Sequence, residues 1–76
     1  MMYSAVLIGM RVRMLKNVLV EMKKVQMDEV WDRHLTKWQE LNVETISTQG
    51  DWAYLTTYEG DIYLDVPCDA FQVINP

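Results

Sequence analysis

The chain has 76 residues, half of them hydrophobic and including three Trp and four Tyr, a balance that excludes a disordered segment and fits one domain over residues 1–76. Cys68 is the only cysteine, which excludes a disulfide scaffold built within one chain and points to a reducing compartment. Net charge is −4, but all seven basic residues lie at or before Lys37, and residues 38–76 carry seven acids and no base.

The weakly polar run over residues 1–10 is too short to span a bilayer. It also lacks the basic start and cleavage site of a signal peptide. It reads as a buried strand, and the expectations are no membrane and a cytoplasmic location. Over residues 5–14 the pattern has period two, with Val6, Ile8, Met10, Val12 and Met14 on one side and Leu7, Gly9, Arg11 and Arg13 on the other. Leu15, Lys16 and Asn17 interrupt it, and Val18, Leu19 and Val20 restart it with Met22 in phase.

Residues 15–26 also fit a helix, with Leu15, Val18, Leu19, Met22 and Val25 on one face. Such a helix would not run smoothly into the next element, because the apolar faces before and after Gln26 differ by about 145°. Valine-rich halves favour a β-hairpin here, with Arg11, Arg13, Lys16, Lys23 and Lys24 forming a basic ribbon.

Residues 28–41 carry the pattern of a helix. Asp28 suits an N-cap, Glu29 and Asp32 suit the first turn, and Asn42 suits the end. The apolar stripe comprises Met27, Val30, Trp31, His34, Leu35, Trp38 and Leu41, and Glu29 precedes Arg33 by four residues. Strands follow over 43–48, 52–57 and 61–66, separated by Gln49-Gly50-Asp51 and Tyr58-Glu59-Gly60, with a short strand or packed tail at 71–74. A three-residue turn with Gly60 in the left-handed position sets Trp52, Tyr54 and Thr56 opposite Val66, Leu64 and Ile62. That face is expected to be the buried one, with Ala53, Leu55, Thr57, Asp61, Tyr63 and Asp65 on the other. The expected fold is α+β, ββαβββ in order, with the helix packed across an antiparallel sheet.

Chemistry-bearing motifs are sparse. His34 and Cys68 are the only candidate base and nucleophile, and no oxyanion-hole turn or orienting group accompanies them. One His and one Cys do not make a structural zinc set, and Asp61, Asp65 and Asp69 straddle a strand end and Pro67. None of the three glycines opens a helix, so no phosphate cradle is expected. The chain is expected to be no enzyme and to use no cofactor or metal.

The distribution of charge is the stronger signal. Glu44, Asp51, Glu59, Asp61, Asp65 and Asp69 fall in strand ends and turns, with Tyr58 and Tyr63 interleaved. Carboxylates steer a basic partner and tyrosines supply contact area at low entropic cost, so these eight residues are the candidate partner-binding set. The expectation is a binding module whose acidic face docks on a basic surface of another protein. Nucleic-acid-handling proteins own the strongest such surfaces, so an inhibitor or modulator of one is the concrete case. In size and charge the chain resembles the small accessory proteins that phages make against host or defence machinery. Two alternatives remain: a structural or homo-oligomerising subunit, and a nucleic-acid binder using the basic first hairpin, against which the overall acidity argues.

Overall fold

Residues 28–41 do not form a helix. The computed structural model describes residues 5–74, with side chains described from Gly9 onward, and is an all-β antiparallel sheet whose only helical element is a 3-10 turn. Residues 1–4, the start of the run read as a buried strand, lie outside the described part. The strands are β1 (Ala5–Met14), β2 (Val18–Lys24), β3 (Val30–Leu35), β4 (Glu40–Gln49), β5 (Trp52–Thr57), β6 (Asp61–Pro67) and β7 (Phe71–Ile74), and the turn is Cys68–Ala70. Their order across the sheet is β3-β2-β6-β5-β4-β1-β7.

This overturns the α+β reading, and the cause is a competing period. Within β3, Trp31, Arg33 and Leu35 alternate with Val30, Asp32 and His34, and β2 sets Met22 opposite Trp31 and Val18 opposite Leu35. Val, Trp, His, Thr and Asp are mediocre helix formers, so a partner strand outweighs the helical pattern. Of the expected apolar stripe only Leu35 is buried and Leu41 half-buried, whereas Val30, Trp31, His34 and Trp38 are exposed. A turn ends β3: the Gln39 amide donates to the Thr36 carbonyl at 3.0 Å, and the Thr36 amide donates to Gln39 Oε1 at 3.0 Å.

The first hairpin does not form either. β1 and β2 are separated in the sheet by β6, β5 and β4, and β1 pairs instead with β4 and β7. The link from Met14 to Val18 is four Cα steps and reaches at most about 14 Å. In a flat sheet the two strands would stand about 19 Å apart. The sheet must therefore roll, and Val12, Met14, Ile46, Leu55, Val66 and Ala70 fill its interior with almost no exposure. At the corner, Asn17 Oδ1 accepts from the Lys37 amide at 2.7 Å, and the Leu15 amide donates to the Ala70 carbonyl at 2.8 Å.

Rolling needs bends, and the chain has them where the backbone departs from regular pleating. The β1–β4 ladder passes Gly9 at φ +70°, and β4 has an irregularity between Val43 and Thr45 in its pairing with β5. A second irregularity lies between Ala53 and Leu55 in the β5–β6 ladder, where Asp65 takes φ +52°. Because of it, Tyr63 and Val66 both face the core although they are three residues apart.

The expected β5–β6 register holds beside the turn, with Thr56 opposite Ile62, Leu55 opposite Tyr63 and Gly60 at φ +89°. The expected buried face is wrong. Ala53, Leu55, Thr57 and Tyr63 point inward, and Trp52 and Tyr54 stand outside, because β4 presents Ile46 to Leu55.

Trp38 sits at φ +73° while its side chain is exposed and its amide donates to the Met14 carbonyl at 2.8 Å. A left-handed backbone at a bulky L-residue costs about 1–2 kcal/mol, which glycine avoids at some entropic cost in the unfolded chain. Trp38→Gly is therefore expected to leave stability unchanged or raise it by up to about 1 kcal/mol, read from urea melts, despite losing the Lys37 ammonium that lies 5.1 Å from the ring centroid.

Candidate functional site

The β4–β5 turn and the exit of β6 come together because Trp52 pairs with Pro67 and the Cys68 amide donates to the Asp51 carbonyl at 2.9 Å. This brings Asp51, Cys68 and Asp69 to one rim of the sheet, around a cleft of about 520 Å³ whose wall includes Trp52. On the outer face beside it, Ser47, Gln49, Trp52, Tyr54 and Asp65 line a smaller cleft of about 130 Å³. Trp52 is common to both and is 52% exposed. Asp65 reaches the outer cleft through the β6 irregularity: the left-handed residue re-phases the strand, and Asp tolerates that backbone better than most residues.

No Lys or Arg lines either cleft among the described residues. Lys16 reaches the rim from outside, its ammonium 3.4 Å from Asp69 with both groups exposed. Every side chain around the outer cleft offers either an acceptor oxygen or an aromatic face. Such a lining suits a cation with several donors, above all a planar guanidinium.

The eight residues expected to bind a partner do not form one site. Asp51, Asp65 and Asp69 cluster as described. Tyr58, Glu59 and Asp61 lie at the other end of the β5–β6 hairpin, about 17 Å away along the strand. There Tyr58 approaches Gly9, where an added Cβ would lie 3.4 Å from its hydroxyl. Asp61 is mostly covered and forms an ion pair with Lys24, and its amide donates to Thr57 Oγ1 at 3.2 Å. Tyr63 is buried in the core and offers no contact area to a partner. Glu44 is exposed at the bend of β4. Beside the Asp51, Asp65 and Asp69 cluster, the exposed aromatic surface is that of Trp52 and Tyr54. Sequence reasoning placed them in the core, and the only signal of exposure was the small Ala53 and aliphatic Leu55 on the alternate face.

No family model, curated protein or solved structure matches this chain.

The basic residues are largely spoken for. Glu40 Oε2 accepts from Arg13 at 2.9 and 3.2 Å, Arg11 lies 3.9 Å from the same carboxylate and donates to Asn42 at 3.1 Å, and Lys24 faces Asp61. The two-stranded basic ribbon therefore does not exist: Arg11 and Arg13 belong to β1, and Lys23 and Lys24 to β2, with three strands between them.

His34 is exposed on edge strand β3, while Cys68 sits in the 3-10 turn beside Asp51. Desolvation, with Asp51 and Asp69 nearby, pushes the Cys68 thiol above its ordinary value. Alkylation of Cys68 by iodoacetamide at pH 7.5, a pH chosen as roughly one unit below an ordinary thiol, is expected to be slower than that of a free cysteine and to quicken after Asp51→Asn. Among the described residues no three His, Cys, Asp or Glu side chains gather into a metal-binding set, and no helix is long and apolar enough to cross a membrane.

Tyr63 adds a pH dependence. Burial is the main cause of its raised value; Asp61 and Glu59 add to it, and Arg33 and Lys24 oppose it. The folded chain therefore holds the phenol proton more tightly than the unfolded chain. The corresponding stability is complete below about pH 10 and is lost as pH rises through the raised folded value. Melting temperatures of the wild type are expected to fall above pH about 10 more steeply than those of Tyr63→Phe.

Proposed function

We propose that this chain is a non-enzymatic binding module that docks its Asp51–Trp52–Tyr54–Asp65–Asp69 rim on a basic surface of a partner protein. The observation that carries this reading is the half-exposed Trp52 standing between two clefts whose charged groups are all carboxylates. Exposed aromatics beside a predominance of charge of one sign are the ingredients of a hot spot steered by electrostatics. Nucleic-acid-handling proteins carry the matching basic surfaces, so the role is that of an inhibitor or modulator of such a protein.

The test starts from a protein captured by the tagged chain in cells of its source, purified, and titrated back. The association rate is expected to fall as salt rises, and to fall again in the Asp51→Asn/Asp65→Asn double variant, with the melting temperature unchanged. A partner that binds the double variant as fast as the wild type rules this surface out.

One observation favours a second reading, a homo-oligomerising subunit. Among the described residues, edge strand β3 pairs only with β2, and its residues 30–34 are exposed on both faces, Val30 and Trp31 included. Sedimentation at high salt separates the two, since strand pairing survives where electrostatic docking weakens.

A further inference from the structure

The two clefts that meet at Trp52 define more than a patch of charge. Trp52 contributes to the wall of both clefts, and each cleft has its own carboxylate: Asp65 in the outer one, Asp51 with Asp69 in the rim one. The two sides differ. The outer cleft is small, at about 130 Å³, and adds Tyr54, Ser47 and Gln49 to the indole, the scale and lining for one planar cation. The rim cleft is larger, at about 520 Å³, and Asp69 there already has Lys16 at 3.4 Å, whereas Asp51 forms no ion pair among the described residues.

Two cations stacked on opposite faces of one ring, each at a contact distance of about 3.5–4 Å, stand roughly 7–8 Å apart. In an extended chain, side chains two residues apart project from the same side at a spacing of about 6.6–7 Å, whereas adjacent side chains project to opposite sides. Trp52 also lies on an interior strand of the sheet, flanked by β4 and β6, so the ligand must cross the outer face and cannot add as another strand.

From this geometry we infer that, on the reading of a basic partner proposed above, the site recognises an extended segment bearing two cationic side chains at alternate positions. The first is an arginine, held in the outer cleft by Asp65 and stacked against Trp52 and Tyr54. The second is an arginine or lysine, received on the other face of Trp52 beside Asp51. The segment between them passes over the edge of the indole.

The test uses two synthetic decapeptides of identical composition, glycine and serine with two arginines, which differ only in whether the arginines are alternate or adjacent. Calorimetric titration into the wild-type chain is expected to give about tenfold tighter binding of the alternate peptide. Asp65→Asn and Trp52→Leu should each erase that preference without changing the melting temperature. Equal affinities that still fall in Asp65→Asn would overturn the two-residue spacing and leave the basic-docking reading standing. Binding of neither peptide would overturn the two-cation clamp, and the docking reading would then be judged on the captured partner alone. A preference that persists in Trp52→Leu would also overturn the clamp.

Discussion

Leu55→Ala is expected to lower stability by about 2–5 kcal/mol. Leu55 has no exposed surface, lies on the middle strand of seven, and faces Ile46 on β4 and Tyr63 on β6. Removing its isobutyl group leaves a void where three strands meet, and a rolled sheet held by its backbone ladders has little freedom to collapse into it. A chain of 76 residues has a total stability of roughly 4–11 kcal/mol, so the loss is a large part of the whole. In urea, the midpoint should fall sharply or the variant should be unfolded from the start. The control is Leu19→Ala on the outer face, which is expected to change stability by less than about 0.5 kcal/mol because Leu19 is 58% exposed. Equal effects at the two positions would contradict the inward face of β5 described above.

Trp52→Ala separates binding from folding. Truncating a central aromatic of an interface typically costs about 2–4 kcal/mol, which is a loss of roughly 30–1,000-fold in affinity for the partner. The same change should leave the melting temperature nearly unaltered, since the indole lies outside the core. Had the indole been buried, as the sequence reading placed it, the same substitution would instead cost several kcal/mol of stability. Measuring the dissociation constant and the melting curve on one preparation therefore distinguishes the two orientations as well as testing the site.

What could be read from the residues alone depended on how local the determining physics is. The Tyr58-Glu59-Gly60 turn was legible because a three-residue loop with glycine at positive φ sets its own register, and Thr56 does face Ile62. Which side of that hairpin is buried was not legible, because both sides are apolar in sequence: Trp52, Tyr54, Ile62, Leu64 and Val66 compete with Ala53, Leu55 and Tyr63. The choice is made by Ile46 on β4 and by the irregularity at Asp65, neither of which is a property of the hairpin. The helix over 28–41 failed for a related reason. Seven apolar residues at helical spacing also contain an alternating pair, Trp31 and Leu35, and β2 supplied partners for it. Of the acidic residues singled out by charge, Asp51, Asp65 and Asp69 lie at one end of the β5–β6 hairpin, while Glu59 and Asp61 share that charge but not that place. Distance between strand ends is a tertiary quantity, and sequence spacing alone does not report it.

The pairing of β1 with β4 and β7 also sets an order of events during folding. The meander β4–β5–β6 is joined by two tight turns and can zip from local contacts, on the microsecond scale of hairpins. β1 has to wait, because its two neighbours come from far along the chain and the later of them, β7, follows every other strand. Closing such long loops before any contact rewards them slows all-β chains to milliseconds or seconds. During that interval Val12 and Met14, which end up fully buried, remain without cover. Recovery of folded protein should therefore decline with chain concentration during refolding, and the loss should trace to the first strand rather than to the turn-rich middle.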